Sequence, residues 1–137
     1  MQIGFIGVGA MGGGLARNLI RAGKSVLIYD INAATVEKTL AAGTSGKAVQ
    51  NAADLAGCDL VFTSLPLPAH LQETMLGDAG LLAKMSPGAV YIDVSTIDPG
   101  TARELEAAAK KKGIGFLECP LGKTPAQAET AEEPIFV

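Results

Sequence analysis

The sequence predicts an α/β fold, a doubly wound and mostly parallel sheet with helices on both faces, and three observations carry that expectation. Apolar runs of strand length alternate with amphipathic segments along the chain. Those runs are apolar on both faces, as strands buried between two helical layers are. Gly and Ala are abundant while aromatic residues make up only 4% of the chain, a composition that suits close helix-on-sheet packing. At 137 residues the chain has the length of one domain, with enough buried surface to fold alone.

Each element has its own signal. Strands are expected at Gln2–Ile6, Ser25–Tyr29, weakly at Ala48–Val49, then at 59–65, 89–94 and 115–117. Between the first two, residues 11–22 carry Leu15, Leu19 and Ile20 on one stripe and stop at Gly23. Asn32 can cap a helix over 33–42 that Gly43 ends, and Asn51 with Asp54 resembles a capping box. The clearest helix has Asp98 as cap, Pro99 at its first position, a body over 101–112 and Gly113 as stop. Such a β-α rhythm with short connections gives right-handed crossovers in one sheet. No internal repeat or low-complexity linker interrupts it.

Composition excludes several classes of partner. A net charge of −3 and one His leave no basic surface for nucleic acid. The run Lys110, Lys111, Lys112 precedes Gly113 and reads as the cationic end of a helix. Cys58 and Cys119 form neither a metal-ligand spacing nor a disulfide framework, and they read as small core residues in a reducing, cytoplasmic setting. No basic leader precedes the apolar run from Ile3 to Val8, and no apolar stretch is long enough to span a bilayer. Past Pro120 the texture turns polar and Ala-rich. Ile135 to Val137 then opens another apolar run, so residue 137 reads as a truncation and the chain as one domain whose partner domain is missing.

Gly7-Val8-Gly9-Ala10-Met11-Gly12 sits directly after the first strand and opens the first helix. Gly7 permits the tight turn, Gly9 lets a pyrophosphate approach the backbone, and Gly12 lets helix and strand pack closely. The helix N-terminus adds N–H donors and positive dipole. Asp30 ends the second strand about 18 residues past Gly12, close to where an acidic residue grips the adenosine ribose hydroxyls. Its carboxylate would repel a 2′-phosphate, and Ile31 and Asn32 offer no Arg to receive one, so NAD is favoured over NADP. A glycine-rich packing turn is the competing reading of the same loop.

With Phe5-Ile6-Gly7-Val8-Gly9-Ala10-Met11-Gly12 and Ala16-Arg17-Asn18-Leu19, the chain resembles the β-hydroxyacid dehydrogenases, which include 3-hydroxyisobutyrate dehydrogenase, tartronate semialdehyde reductase and 6-phosphogluconate dehydrogenase. The likeness continues through Ser64-Leu65-Pro66, Gly77, Gly80-Leu81-Leu82, Pro87-Gly88, Ile92-Asp93-Val94-Ser95-Thr96-Ile97 and Pro99. What the resemblance implies is a Rossmann-type domain serving NAD(P)-dependent oxidation of a 3-hydroxy acid, or the reverse reduction of an aldehyde acid. It places Ala10, Met11 and Asp30 along the cofactor, Leu65 and Pro66 over part of it, and Thr96 near the nicotinamide ribose. Thr96 also follows the carboxyl end of a central strand, the edge at which open α/β sheets bind ligands. The plainer alternative makes Ser95 and Thr96 turn residues before the capped helix.

The family's proton-transfer residue is a Lys on a later helix, joined by an Asn. No catalytic residue is expected within this chain: that Lys would lie beyond Val137, in an all-helical domain through which the full protein would form a homo-oligomer. Lys84, Lys110 and Lys123 precede the segment and do not replace it, and His70 reads as an ordinary helix residue. Most relatives follow the sixth strand with an Asp-Ala-Pro-Val-Ser-Gly-Gly-like run that holds the substrate carboxylate. Here the run is Glu118-Cys119-Pro120-Leu121-Gly122-Lys123-Thr124, closer to the Gly-Arg-Thr run of sulfolactaldehyde reductases. Gly122, Lys123 and Thr124 are therefore the candidate substrate-binding residues, with Lys123 set to meet a second anionic group or else to be a solvated surface lysine. The rival function is a stand-alone nucleotide-binding or sensor domain without catalysis.

Overall fold

The computed structural model describes residues 1–120 and 129–130. In chain order it contains β1 (Gln2–Ile6), α1 (Ala10–Arg21), β2 (Ser25–Tyr29), α2 (Ala33–Leu40), β3 (Gly46–Ala48), a 3₁₀ turn (Ala52–Leu55), β4 (Leu60–Thr63), α3 (Pro68–Met75), α4 (Leu81–Lys84), β5 (Val90–Asp93), α5 (Pro99–Lys111) and β6 (Gly115–Glu118). The strands form one sheet in the order β3-β2-β1-β4-β5-β6, with all five pairings parallel. The doubly wound α/β expectation therefore holds. Because the order reverses direction between β1 and β4, the loops after these two strands diverge to opposite faces. They leave a crevice at the carboxyl edge.

The helices lie in two layers over two apolar clusters. Ile3, Phe5, Val8, Ala16, Ile20, Val26 and Ile28 fill the face under α1 and α2, where Phe5 stacks on Phe62 at 5.3 Å between ring centres. The other face is larger and packs Leu55, Val61, Met75, Leu81, Leu82, Tyr91 and Leu105, among others, beneath α3, α4 and α5. Burying one such side chain contributes about 1.5–3 kcal/mol, so both layers are held mainly by this apolar area.

Local chemistry explains most element ends. Asn32 Oδ1 accepts from the Ala34 N–H at 3.0 Å, and Asp98 Oδ2 accepts from the Thr101 N–H at 3.0 Å, which fixes the starts of α2 and α5. Gly23 and Gly113 end α1 and α5 in the left-handed region, with φ of 78° and 72°. Asp54 Oδ2 accepts from the Asn51 N–H at 3.0 Å as a capping box would, but the segment it caps is a single 3₁₀ turn. Other expectations shift. β3 begins at Gly46, two residues before the expected Ala48. α2 ends at Leu40 without a left-handed glycine, and Gly43 instead lies against Ile20, whose Cγ2 would stand 2.9 Å from an added Cβ. α3 and α4, with eight and four residues, carry no apolar stripe long enough to declare them in the sequence.

Candidate functional site

Every candidate cofactor-binding residue lies at the carboxyl edge of the sheet or on the turn and helix start that leave it. After β1 the chain turns at Gly7, whose φ of 88° is left-handed and whose N–H donates to the Tyr29 carbonyl at 3.0 Å. A Cβ on Gly7 would stand 2.1 Å from the Ser64 carbonyl oxygen, and one on Gly12 would stand 2.0 Å from the Gly7 carbonyl oxygen. Only glycine fits at either position. Gly9 differs, because a Cβ there would meet nothing within 4 Å. It faces open space and leaves room for a ligand against the backbone.

Gly9 is also the N-cap of α1, and no side-chain oxygen caps that helix. The first-turn N–H groups and the positive end of a 12-residue helix are thus left for an anion. Two hollows meet at this point. One, of about 480 Å³, is lined by Gly9, Ala10, Met11, Gly12, Ser64, Leu65, Pro66, Val94, Ser95 and Thr96. The other, of about 370 Å³, runs toward α2 past Val8, Arg17, Thr35, Lys38 and Glu129. An elongated ligand with its anionic middle on Gly9 and Ala10, which both hollows share, would extend an arm into each.

Asp30 follows β2 and is half-buried. Its Oδ2 accepts from the Val8 N–H at 2.9 Å and its Oδ1 from the Asn32 N–H at 2.9 Å. The carboxylate thereby ties the glycine loop to the end of β2, and each oxygen keeps a lone pair for a further donor. On the other side, the Leu65 N–H donates to Ser95 Oγ at 2.8 Å, joining the loop after β4 to the loop after β5. Met11 is half-buried along the groove, while Pro66 and Thr96 are exposed at its rim.

Sequence reasoning passed over three cations near the site, of which Arg17 and Lys38 line the smaller hollow. Arg17 and Arg21 on α1 both pair with Glu129, Arg17 Nε donating to Glu129 Oε2 at 2.7 Å. These hydrogen bonds, those of Arg17 first, hold the Glu129 carboxyl down at about 2. Lys38 lines the same hollow from α2. The signal available was helical spacing, since Arg17 and Arg21 are four residues apart on one face of α1.

Other candidates fall where they were expected. His70 is exposed on α3, outside both hollows. Cys58 and Cys119 are buried free thiols, and burial raises both above the ordinary thiol range, which suits core residues rather than nucleophiles. Gly122, Lys123 and Thr124 lie outside the described residues. Among the described residues lining the 480 Å³ groove, none carries an ionisable side chain. No group of His, Cys, Asp or Glu among the described residues could hold a metal ion.

A parallel sheet that presents a left-handed glycine turn, an uncapped helix N-terminus and an acidic residue on the neighbouring strand defines a Rossmann-type dinucleotide-binding domain. Comparison with known proteins agrees: the NAD-binding domain of 6-phosphogluconate dehydrogenase matches residues 2–137, and the chain belongs to that family. It is 39% identical over 128 residues to an NAD-dependent L-serine dehydrogenase of Pseudomonas aeruginosa, covering 93% of this chain and 42% of that protein. A probable mitochondrial 3-hydroxyisobutyrate dehydrogenase of Dictyostelium discoideum is 36% identical over 136 residues, covering 98% of the chain and 42% of that protein. The structure of Mycobacterium tuberculosis 3-hydroxyisobutyrate dehydrogenase with L-serine superposes with a TM-score of 0.88 at 29% identity, covering 98% of this chain and 45% of that one. The chain thus spans less than half the length of these relatives. No helix among the described residues is long and apolar enough to cross a membrane.

Proposed function

We propose that this chain is the cofactor-binding half of an NAD-dependent oxidoreductase that interconverts a 3-hydroxy acid and the corresponding aldehyde acid. The observation that carries the reading is the junction of the two hollows at Gly9 and Ala10, on the uncapped end of α1. When bound, the dinucleotide supplies the acceptor or donor of a hydride. The chain's own residues hold it: the Gly9–Gly12 turn takes the pyrophosphate, Asp30 the adenosine ribose, and Leu65, Pro66 and Thr96 the nicotinamide end. Asp30 leaves a negative charge where a 2′-phosphate would sit, which favours NAD over NADP. None of the described residues lining the groove is ionisable, and we assign the movement of the substrate proton, as the family resemblance implies, to a Lys outside these 137 residues, in a helical domain through which the full protein would form a homo-oligomer. Two cysteines kept as buried thiols support a reducing, cytoplasmic setting.

The chain should bind NADH and fail to turn over, because loss of general acid–base catalysis alone costs about 10²–10⁴ in rate. NADH fluorescence titration beside an aldehyde-acid reductase assay tests this. Absence of NADH binding would remove the dinucleotide reading, and turnover matching a full-length protein would remove the division of labour. For the substrate we propose an anionic aldehyde or hydroxy acid, with Gly122, Lys123 and Thr124 on its charged tail. In a full-length protein, Lys123→Ala should raise KM for a sulfonated or phosphorylated aldehyde far more than for a neutral short one. Equal effects on both would exclude charge recognition by Lys123.

A further inference from the structure

One buried polar cluster is not used by this reading. Asp93 ends β5 and is fully buried, with Thr63 directly opposite it on β4 in the pairing register. Tyr91, two residues earlier on the same strand, brings its hydroxyl to 2.8 Å from Thr63 Oγ1, and Thr63 Oγ1 donates to Asp93 Oδ1 at 2.7 Å. The Ser95 N–H donates to the same Oδ1 at 3.3 Å, while Ser95 Oγ receives the Leu65 N–H at 2.8 Å. The Asp93 carbonyl accepts from the Cys119 N–H at 2.8 Å. The side chain thus stands where the loops after β4 and β5 leave the sheet, beneath the residues that line the 480 Å³ groove.

We propose that Asp93 is a positioning residue for the dinucleotide: through Thr63 and the Ser95 N–H it locks the β4 and β5 loops together and sets where Leu65, Ser95 and Thr96 stand. This rests on the dinucleotide reading of the groove. The lock works with Asp93 as a neutral acid. Its Oδ1 takes two donors, whereas Oδ2 is buried and has no hydrogen-bond partner among the described residues. A carboxylate would leave half its charge bare in the interior, while a carboxylic acid leaves only one hydroxyl unpaired.

The surroundings favour that form. Burial pushes the Asp93 carboxyl above the ordinary range, and the charge of Glu118 adds to it against the lowering by the Thr63 and Ser95 hydrogen bonds. The ionisable groups that face it are Tyr91 on its own strand, Glu118 at the end of β6 and Cys119 just beyond; β4 contributes only the neutral Thr63. Tyr91 is itself raised well above its ordinary value by burial and by Asp93, and Cys119 is raised by burial, Asp93 and Glu118. Among the described residues, no cation acts on Asp93. For an acid raised in the fold, the neutral arrangement is complete at low pH and is lost as pH rises through the folded value.

The test is the affinity of the chain for NAD⁺ by calorimetry between about pH 5 and about pH 9, for wild type, Asp93→Asn, Thr63→Ser and Thr63→Val. Wild-type affinity should weaken as pH rises. Asp93→Asn, which copies the neutral acid, should bind with a flat profile and more tightly than wild type at the alkaline end. An Asn profile that tracks the wild-type one would overturn the proposal while leaving the dinucleotide reading intact, and wild-type failure to bind NAD⁺ at any pH would overturn both. If Asp93→Asn does not fold, the Thr63 pair decides: Val should bind about tenfold more weakly, since it strands the buried Tyr91 hydroxyl and takes one of the two donors from Asp93 Oδ1, while Ser restores binding. Val binding as well as wild type would show that the relay positions nothing.

Discussion

Asp30 receives two backbone N–H groups before any ligand arrives, so beside the ribose contact we propose for it, it holds the glycine loop. Both roles use its carboxyl oxygens. Asp30→Ala should weaken NADH binding about 10- to 100-fold, the size of one hydrogen bond to a charged group. NADPH should lose less, because removing the carboxylate also removes its repulsion of the 2′-phosphate. Parallel fluorescence titrations check this, and equal losses would show that Asp30 shapes the loop without discriminating between cofactors. Spacing from Gly12 was enough to find this residue in the sequence. Its bond to the Val8 N–H was not legible, because that partner is fixed by how the chain turns after β1. Asp93 was less legible still: in Ile92-Asp93-Val94 it reads as a strand residue, and only the β4–β5 register brings Thr63 opposite it.

At the scale of elements, the β1–α1 unit separates two uses of glycine that one motif hides. A Cβ on Gly12 would stand 2.0 Å from one backbone oxygen and 2.8 Å from Ser64 Cβ, whereas one on Gly9 meets nothing. Gly12→Ala should therefore lower the melting temperature, as overpacking by about 1–3 kcal/mol or more does. Gly9→Ala should melt with the wild type and lose NADH binding, because its methyl group fills space the pyrophosphate needs. Melting curves beside NADH titrations check the pair, and a Gly9→Ala protein that binds NADH normally would move the pyrophosphate elsewhere. Elements with strong punctuation, such as α5 with Asp98 before it and Gly113 after it, were legible from the sequence. α3 begins at Pro68 without a capping side chain and α4 is one turn long, so neither had a period to read. β3 is a three-residue edge strand placed by Gly46 against Ile20 and Leu40, a tertiary contact that local pattern does not contain.

For the whole molecule, the parallel class and the carboxyl-edge placement of the groove followed from alternation alone, while the pairing of Arg17 and Arg21 with Glu129 depended on contacts more than 100 residues apart in the chain. The substrate end was the least legible part, because the residues we propose for it, Gly122, Lys123 and Thr124, lie outside the described residues. The two-sided core carries a kinetic consequence. The fully buried residues of its smaller side all fall within 3–28, a stretch short enough to close early before Leu60 and Phe62 join it, whereas the larger side gathers partners from Ile6 to Ile114 and must wait for distant strands to arrive. Refolding should begin in the first half. Ile28→Val should slow refolding, while Leu105→Ala should mainly speed unfolding, a partition that chevron plots resolve. The opposite partition would place the nucleus in the second half. Because β1 lies at the centre of the sheet, a nascent chain would leave its β4-pairing flank bare until β4 has emerged, and during that interval the half-built sheet would expose an unpaired edge open to wrong partners.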